Sequence, residues 1–186
     1  MNDISPNTKL PKIISKKVSM RSKLFCVEQL QLQFNNGVQM QYERMLSSAS
    51  GAVLIIAIKD NCFVLIKEYA AGVERYELTF AKGKVDDGET WQQAVERESQ
   101  EELGYFPQQV NLLETVSLAS GYMTHQTHLV LAENLIEQTA IGDEPEPLEI
   151  IYWPIKDWKK LITQPMFSEG RSYAALLLYL TDKELI

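Results

Sequence analysis

Two apolar runs, Val53 to Ile58 and Cys62 to Ile66, are separated only by Lys59-Asp60-Asn61. Their short length and β-branched content predict paired core strands, not a helix, so the chain has to be built around a sheet. Upstream, Leu30, Leu32 and Phe34 alternate with polar residues, Asn35-Asn36-Gly37 follows, and Val38, Met40 and Tyr42 resume the alternation. That is a hairpin signature with a glycine where a positive φ is wanted. Ser47-Ser48-Ala49-Ser50-Gly51 reads as a linker and sets the expected boundary. Residues 1–46 are then a polar, Pro-containing leader plus a β appendage, and residues 47–186 the main domain.

Downstream, Glu74 to Phe80 predicts another strand. The segment TWQQAVERESQEEL, Thr90 to Leu103, has no Gly or Pro and ends at Gly104, the pattern of a capped helix. Val110 to Ser117, Thr127 to Ala132 and Glu149 to Trp153 read as strands, the last preceded by a stiff acidic loop from Gly142 to Pro147. Helices are expected at Asp157 to Ile162 and Ser172 to Thr181. With no internal repeat, the fold class is α/β or α+β, a core carrying an N-terminal antiparallel β appendage.

The 186 residues suit one core with an appendage. A net charge of -7 argues against nucleic acid and acidic membrane surfaces as partners, since phosphate backbones require a positive field. A phosphorylated substrate would therefore need a local cation. The start, MNDISPNTKLPKIISKK, has no apolar core of the secretory type, and the apolar runs are too short to span a bilayer, so a soluble, cytoplasmic protein is expected. Cys26 and Cys62, far apart, suggest neither a disulfide framework nor a thiolate zinc site.

On the expected helix, Glu98, Glu101 and Glu102 stand at i, i+3 and i+4, with all three carboxylates on one face. Like charges at these spacings cost only about 0.2 to 0.5 kcal/mol per exposed pair, so an ordinary solvated face carries the same pattern. The frame around them decides. Gly83, Glu89, Arg97-Glu98, Glu101-Glu102 and Gly104 match G-x5-E-x7-R-E-U-x-E-E-x-G-U, where U is a bulky aliphatic residue. A chance match to all seven invariant letters is on the order of one in a million at average residue usage. Ser99 and Tyr105 depart at two U positions. Ser99 is expected to weaken packing of the helix on the sheet without touching a ligand.

This stretch resembles the Nudix box, and the resemblance implies an α/β/α sandwich with a mixed central sheet. The resemblance implies a diphosphate hydrolase in which Glu98, Glu101, Glu102 and the main-chain carbonyl of Lys82 hold Mg²⁺ or Mn²⁺, hard cations that take oxygen donors. Gly83, Glu89 and Arg97 correspond to the supporting residues, the last two as a pair that orients loop and glutamates. The segments LIKEYAAGVERYELTFAKG and GDEPEPLEIIYWP, with the N-terminal hairpin, are similar to NudE-type ADP-compound hydrolases within the ADP-ribose pyrophosphatase group. That likeness implies ADP-ribose, diadenosine polyphosphates such as Ap3A, and NADH as substrates, AMP as a product, and a homodimer formed by exchange of the appendage. Ala81-Lys82-Gly83 stands where that group usually has Pro-Ala-Gly, and Ser120 where it has a proline.

Lys82 could also reach a phosphate as a point charge. Relatives draw a general base from an acidic loop, here Asp143-Glu144-Pro145-Glu146, where Glu146 is favoured over Glu144. Tyr69, Tyr76 and Tyr122 offer stacking surface for an adenine, and His125 and His128 read as polar loop residues. Two alternatives remain open on sequence: a Nudix enzyme for another nucleotide such as a GDP-sugar, and a non-catalytic nucleotide-binding Nudix fold.

Overall fold

The computed structural model describes residues 9–47, 50–142 and 144–186. The chain forms two compact units, one holding the N-terminal sheet and Ala119–His125, the other the remaining strands and helices. No helix among the described residues is long and apolar enough to cross a membrane.

In the N-terminal unit, β1 (Lys12–Arg21), β2 (Cys26–Gln33) and β3 (Gln39–Leu46) form an antiparallel sheet in that order. The expected hairpin is β2–β3, with Leu30 opposite Tyr42, Leu32 opposite Met40, and Gly37 at φ 84° in its turn. β1 lies in the segment read as a polar, Pro-containing leader, where the sequence predicts no strand. Its sequence KIISKKVSMR lacks strict alternation because every residue is exposed, so neither face imposes a pattern, and its pairing is interrupted by irregularities near Ser15 and Met20. Ala119–His125 adds a short pairing: Met45 N–H donates to the Tyr122 carbonyl at 2.7 Å, and Thr124 N–H to the Met45 carbonyl at 3.0 Å.

The second unit is built on β4 (Ala52–Lys59), β5 (Cys62–Ala70), β6 (Arg75–Lys84), β7 (Tyr105–Ser117), β8 (Gln126–Glu137) and β9 (Glu149–Pro154). They run in the order β7-β8-β4-β6-β5-β9, with β4 parallel to β8 and the other pairs antiparallel. β4 reads AVLIIAIK because it is covered on both faces. Val53, Ile55 and Ala57 pack with Ala94 and Val95 of α1 (Trp91–Glu98). Leu54 and Ile56 pack with Leu176, Tyr179 and Leu180 of α3 (Gly170–Asp182) and with Leu161 of α2 (Trp158–Leu161). Each such buried aliphatic side chain is worth roughly 1.5–3 kcal/mol. The layers are thus helix, mixed sheet, helix, as expected.

Several strands run further than sequence suggests. β6 begins one residue after Glu74, whose φ of 54° marks the turn, and continues through Gly83. β7 begins at Tyr105 and β8 continues to Glu137. His128, read as a loop residue, lies within β8, and its Nδ1 is 2.9 Å from Thr115 Oγ1.

Candidate active site

The site grows from the loop between β6 and α1. α1 starts at a capping box: Gln93 N–H donates to Thr90 Oγ1, while Thr90 N–H donates to Gln93 Oε1. The expected single helix is in fact two segments. α1 stops at Glu98, and Ser99–Leu103 is a π-helical turn closed by Gly104 N–H donating to the Ser99 carbonyl, with Gly104 left-handed at φ 75°. Glu98 therefore stands on α-helix and Glu101 and Glu102 on the wider π turn. Ser99, in place of a bulky aliphatic, is fully buried, and its hydroxyl has no hydrogen-bond partner among the described residues.

Arg97 organises the cluster by spending all five guanidinium N–H donors. Nε and Nη2 bind the two oxygens of Glu89, each at 3.0 Å. Nη2 also donates to the Lys84 carbonyl at 2.9 Å, and Nη1 reaches Glu98 Oε1 at 2.5 Å and Glu101 Oε2 at 3.1 Å. The fork from Arg97 holds the Glu89 carboxyl below the usual carboxylate range against the opposing effect of burial. Glu89 Oε2 also accepts from Asp86 N–H at 2.9 Å, so the pair pins the loop at both ends.

Gly83 permits a close approach. A Cβ at this position would fall on the Glu98 carboxylate. Glu98 and Glu102 are each only 8% exposed. Burial pushes Glu98 up to about 7 despite Arg97, and Glu102 up to about 8 despite the Lys82 N–H that donates to it at 2.9 Å. Lys82 Nζ pairs with Glu68, a partner for which the sequence offered no signal.

These residues supply what a hard divalent cation takes: oxygen donors whose buried charge the protein leaves incompletely compensated. Among the described residues no three such side chains close on one point. Two of the glutamates are turned to Arg97, and Glu102 to the Lys82 amide. In chemistry the donor set fits a cation.

Glu101 and Glu102 also line a cleft shared with Tyr105, Tyr152, Glu144 and Glu146. The Tyr105 and Tyr152 hydroxyls lie 2.7 Å apart, and the bond to Tyr105 leads in pushing Tyr152 up to about 12. The only sequence hint of that pair was the aromatic Tyr105 at an aliphatic position. Glu144 lines this cleft and a second one with Lys82, Gly83 and Glu98. Glu146 accepts from the Tyr76 hydroxyl at 2.7 Å; Asp143 lies outside the described residues. Tyr69 and Tyr76 are exposed and meet edge to face at 5.6 Å. Tyr122 belongs to the N-terminal unit.

Arg97 joins Glu89, Glu98 and Glu101 into one hydrogen-bonded cluster with Gly83 against the Glu98 carboxylate, and the profile of the NUDIX domain matches residues 48–169. The chain belongs to the Nudix hydrolase family. The NudE-type Nudix hydrolase N-terminal domain matches residues 11–44. Among curated Nudix relatives, the ADP compounds hydrolase NudE of Escherichia coli (strain K12) is 39% identical over 94% of both chains. The ADP-ribose pyrophosphatase of Bacillus subtilis (strain 168) is 26% identical, over 75% of this chain and 78% of its own. A crystal structure of an ADP compounds hydrolase superposes with a TM-score of 0.90 at 38% identity, covering 98% of this chain and all of that one. Nudix hydrolases generally use divalent metal ions, in keeping with the acidic cluster.

Proposed function

We propose that this Nudix hydrolase cleaves the diphosphate linkage of ADP-containing compounds, ADP-ribose, Ap3A and NADH among them, and releases AMP. One observation carries the hydrolytic reading: the complete set of Glu98, Glu101 and Glu102 around a loop held by Arg97 and Glu89, with two of the carboxylates buried. The likeness to the Escherichia coli enzyme along nearly the whole chain supports the choice of ADP compounds.

In this reading Glu98, Glu101, Glu102 and the Lys82 carbonyl hold Mg²⁺, with Mn²⁺ as a substitute. The metal supplies neutralisation of the diphosphate, polarisation of one phosphorus and a lowered pKa for the attacking water. Arg97, with Glu89, keeps loop and glutamates in place. Glu146 takes the proton of the water as its oxygen bonds to phosphorus and the bridging P–O bond breaks. From ADP-ribose the products are AMP and ribose 5-phosphate. Lys82 offers a cation to the phosphates, and Tyr69 and Tyr76 an aromatic edge to the base.

Residues 1–46 are proposed as a dimerisation appendage of a homodimer working in the cytoplasm, and residues 47–186 as the hydrolase domain. Ile13, Val18, Met20, Met40 and Tyr42 leave apolar surface exposed on that sheet, which a second copy would cover. The test of substrate class is a panel of ADP-ribose, Ap3A, NADH and GDP-mannose with Mg²⁺, scored by released AMP or GMP. Preference for GDP-mannose would reject the ADP assignment, and silence on all four the enzymatic one.

A further inference from the structure

Glu146 stands between Pro145 and Pro147 in the loop ahead of β9. Proline restricts the backbone on either side but brings no N–H donor, so the direction of this carboxylate depends on groups from elsewhere. Tyr76 is such a group. Its hydroxyl donates to Glu146 Oε1 at 2.7 Å from 70 residues away in sequence. The ring is braced in turn. Tyr69, its register partner on β5, meets it edge to face, and Lys67 Nζ lies 5.5 Å from its centroid. Lys67 also donates to Glu149 Oε2 at 2.8 Å, where β9 begins, so both the loop and its exit are fastened to the β5–β6 pair. β6 itself runs on from Tyr76 to Lys82 and Gly83, beside Glu98 and Glu102.

We propose that the Tyr76 hydroxyl is a positioning group for catalysis: it fastens the acidic loop to β6 and so sets where the Glu146 carboxylate stands relative to Glu101 and Glu102 across their shared cleft. The inference rests on Glu146 as the general base. The hydrogen bond to Glu146 leads in raising the Tyr76 phenol above its ordinary value, so the hydroxyl stays protonated as a donor. A role in orientation separates the hydroxyl of Tyr76 from its ring, since only the ring serves stacking on a nucleotide base.

The test compares kcat and KM for ADP-ribose with Mg²⁺ in Tyr76→Phe, Glu146→Gln and the double variant, with melting temperatures as a check on folding. Tyr76→Phe keeps the ring, so KM holds, while kcat falls on the order of tenfold to a hundredfold, the scale of a misplaced catalytic group. Glu146→Gln loses about 10²- to 10⁴-fold as a missing base. Because Tyr76 acts through Glu146, the double variant is no slower than Glu146→Gln alone. An impaired Glu146→Gln beside an unimpaired Tyr76→Phe, or losses that multiply in the double variant, overturns the inference and leaves the base assignment standing. Wild-type turnover in Glu146→Gln removes the base assignment and the inference with it.

Discussion

Arg97 and Glu89 meet fork to fork, Nε to Oε1 and Nη2 to Oε2, both at 3.0 Å. A planar guanidinium can do this and an ammonium cannot, because lysine delivers a point charge from rotating donors. Arg97→Lys would keep the charge and lose the contacts to Glu89, Lys84, Glu98 and Glu101 as a set. The expected outcome is a 10- to 100-fold loss in metal affinity or activity, on the scale of outer-shell substitutions. Activity titrated against Mg²⁺ measures it, and an unchanged curve would show that the fork is dispensable.

Glu98→Gln and Glu102→Gln should each lower turnover by orders of magnitude while circular dichroism stays native, because an isosteric amide removes charge and no packing. Gly83→Ala should have the same kinetic effect by a different route, since its methyl group would take the space of the Glu98 carboxylate. Full activity in all three would refute the carboxylate cluster as the centre of catalysis.

Ser99→Ala removes a fully buried hydroxyl that has no partner among the described residues. An unsatisfied buried polar group costs about 1–3 kcal/mol, so the variant should be more stable, with a melting temperature raised by roughly 2–4 °C per kcal/mol gained. Calorimetry decides, and a lower melting temperature would mean that the hydroxyl has a bond not seen here.

Glu169 caps α3, accepting from Ser172 N–H at 2.8 Å and from Arg171 Nε at 2.5 Å. Burial works to raise its pKa, but Arg171 and Ser172 outweigh it and the carboxyl titrates below its ordinary 4.5. A depressed carboxylate contributes stability that is present above the unfolded pKa and lost as pH falls through the folded one. Glu169→Gln should therefore be less stable than the parent at pH 7, by about 1 kcal/mol for a weakened cap. In urea melts the gap should close as the pH is taken below 4.5. A gap independent of pH would assign the loss to something other than charge.

Removal of residues 1–46 should turn a homodimer into a poorly soluble monomer if the appendage pairs across subunits. Light scattering reads the result. An unchanged oligomer would retire the proposed role.

What was legible in the sequence was whatever a strong physical demand had written there. β4 is buried on both faces and can be nothing but apolar, and the β2–β3 turn needs the left-handed Gly37. The box residues were legible for a similar reason, since Gly83, Glu89 and Arg97 answer to contacts that no other residue types make in those places. β1 was not legible, because a strand exposed along its whole length carries no alternation. The π turn was missed because Ser99–Leu103 is composed of residues equally at home in an α-helix. Tyr76 to Glu146 joins a strand to a distant loop, and Lys82 to Glu68 joins residues that are not register partners, since Glu68 faces Glu77 and Lys82 faces Leu54; single residues do not announce such encounters.

The N-terminal unit is discontinuous, its sheet completed by Ala119–His125 from between β7 and β8. During synthesis the three strands emerge first, yet Met45 must wait for Tyr122 and Thr124 until the ribosome has produced β4 to β7. The sheet of β1 to β3 is thus finished only after β7 has been made, so a nascent chain stalled before Ala119 would expose β3 with its Met45 backbone groups unmatched.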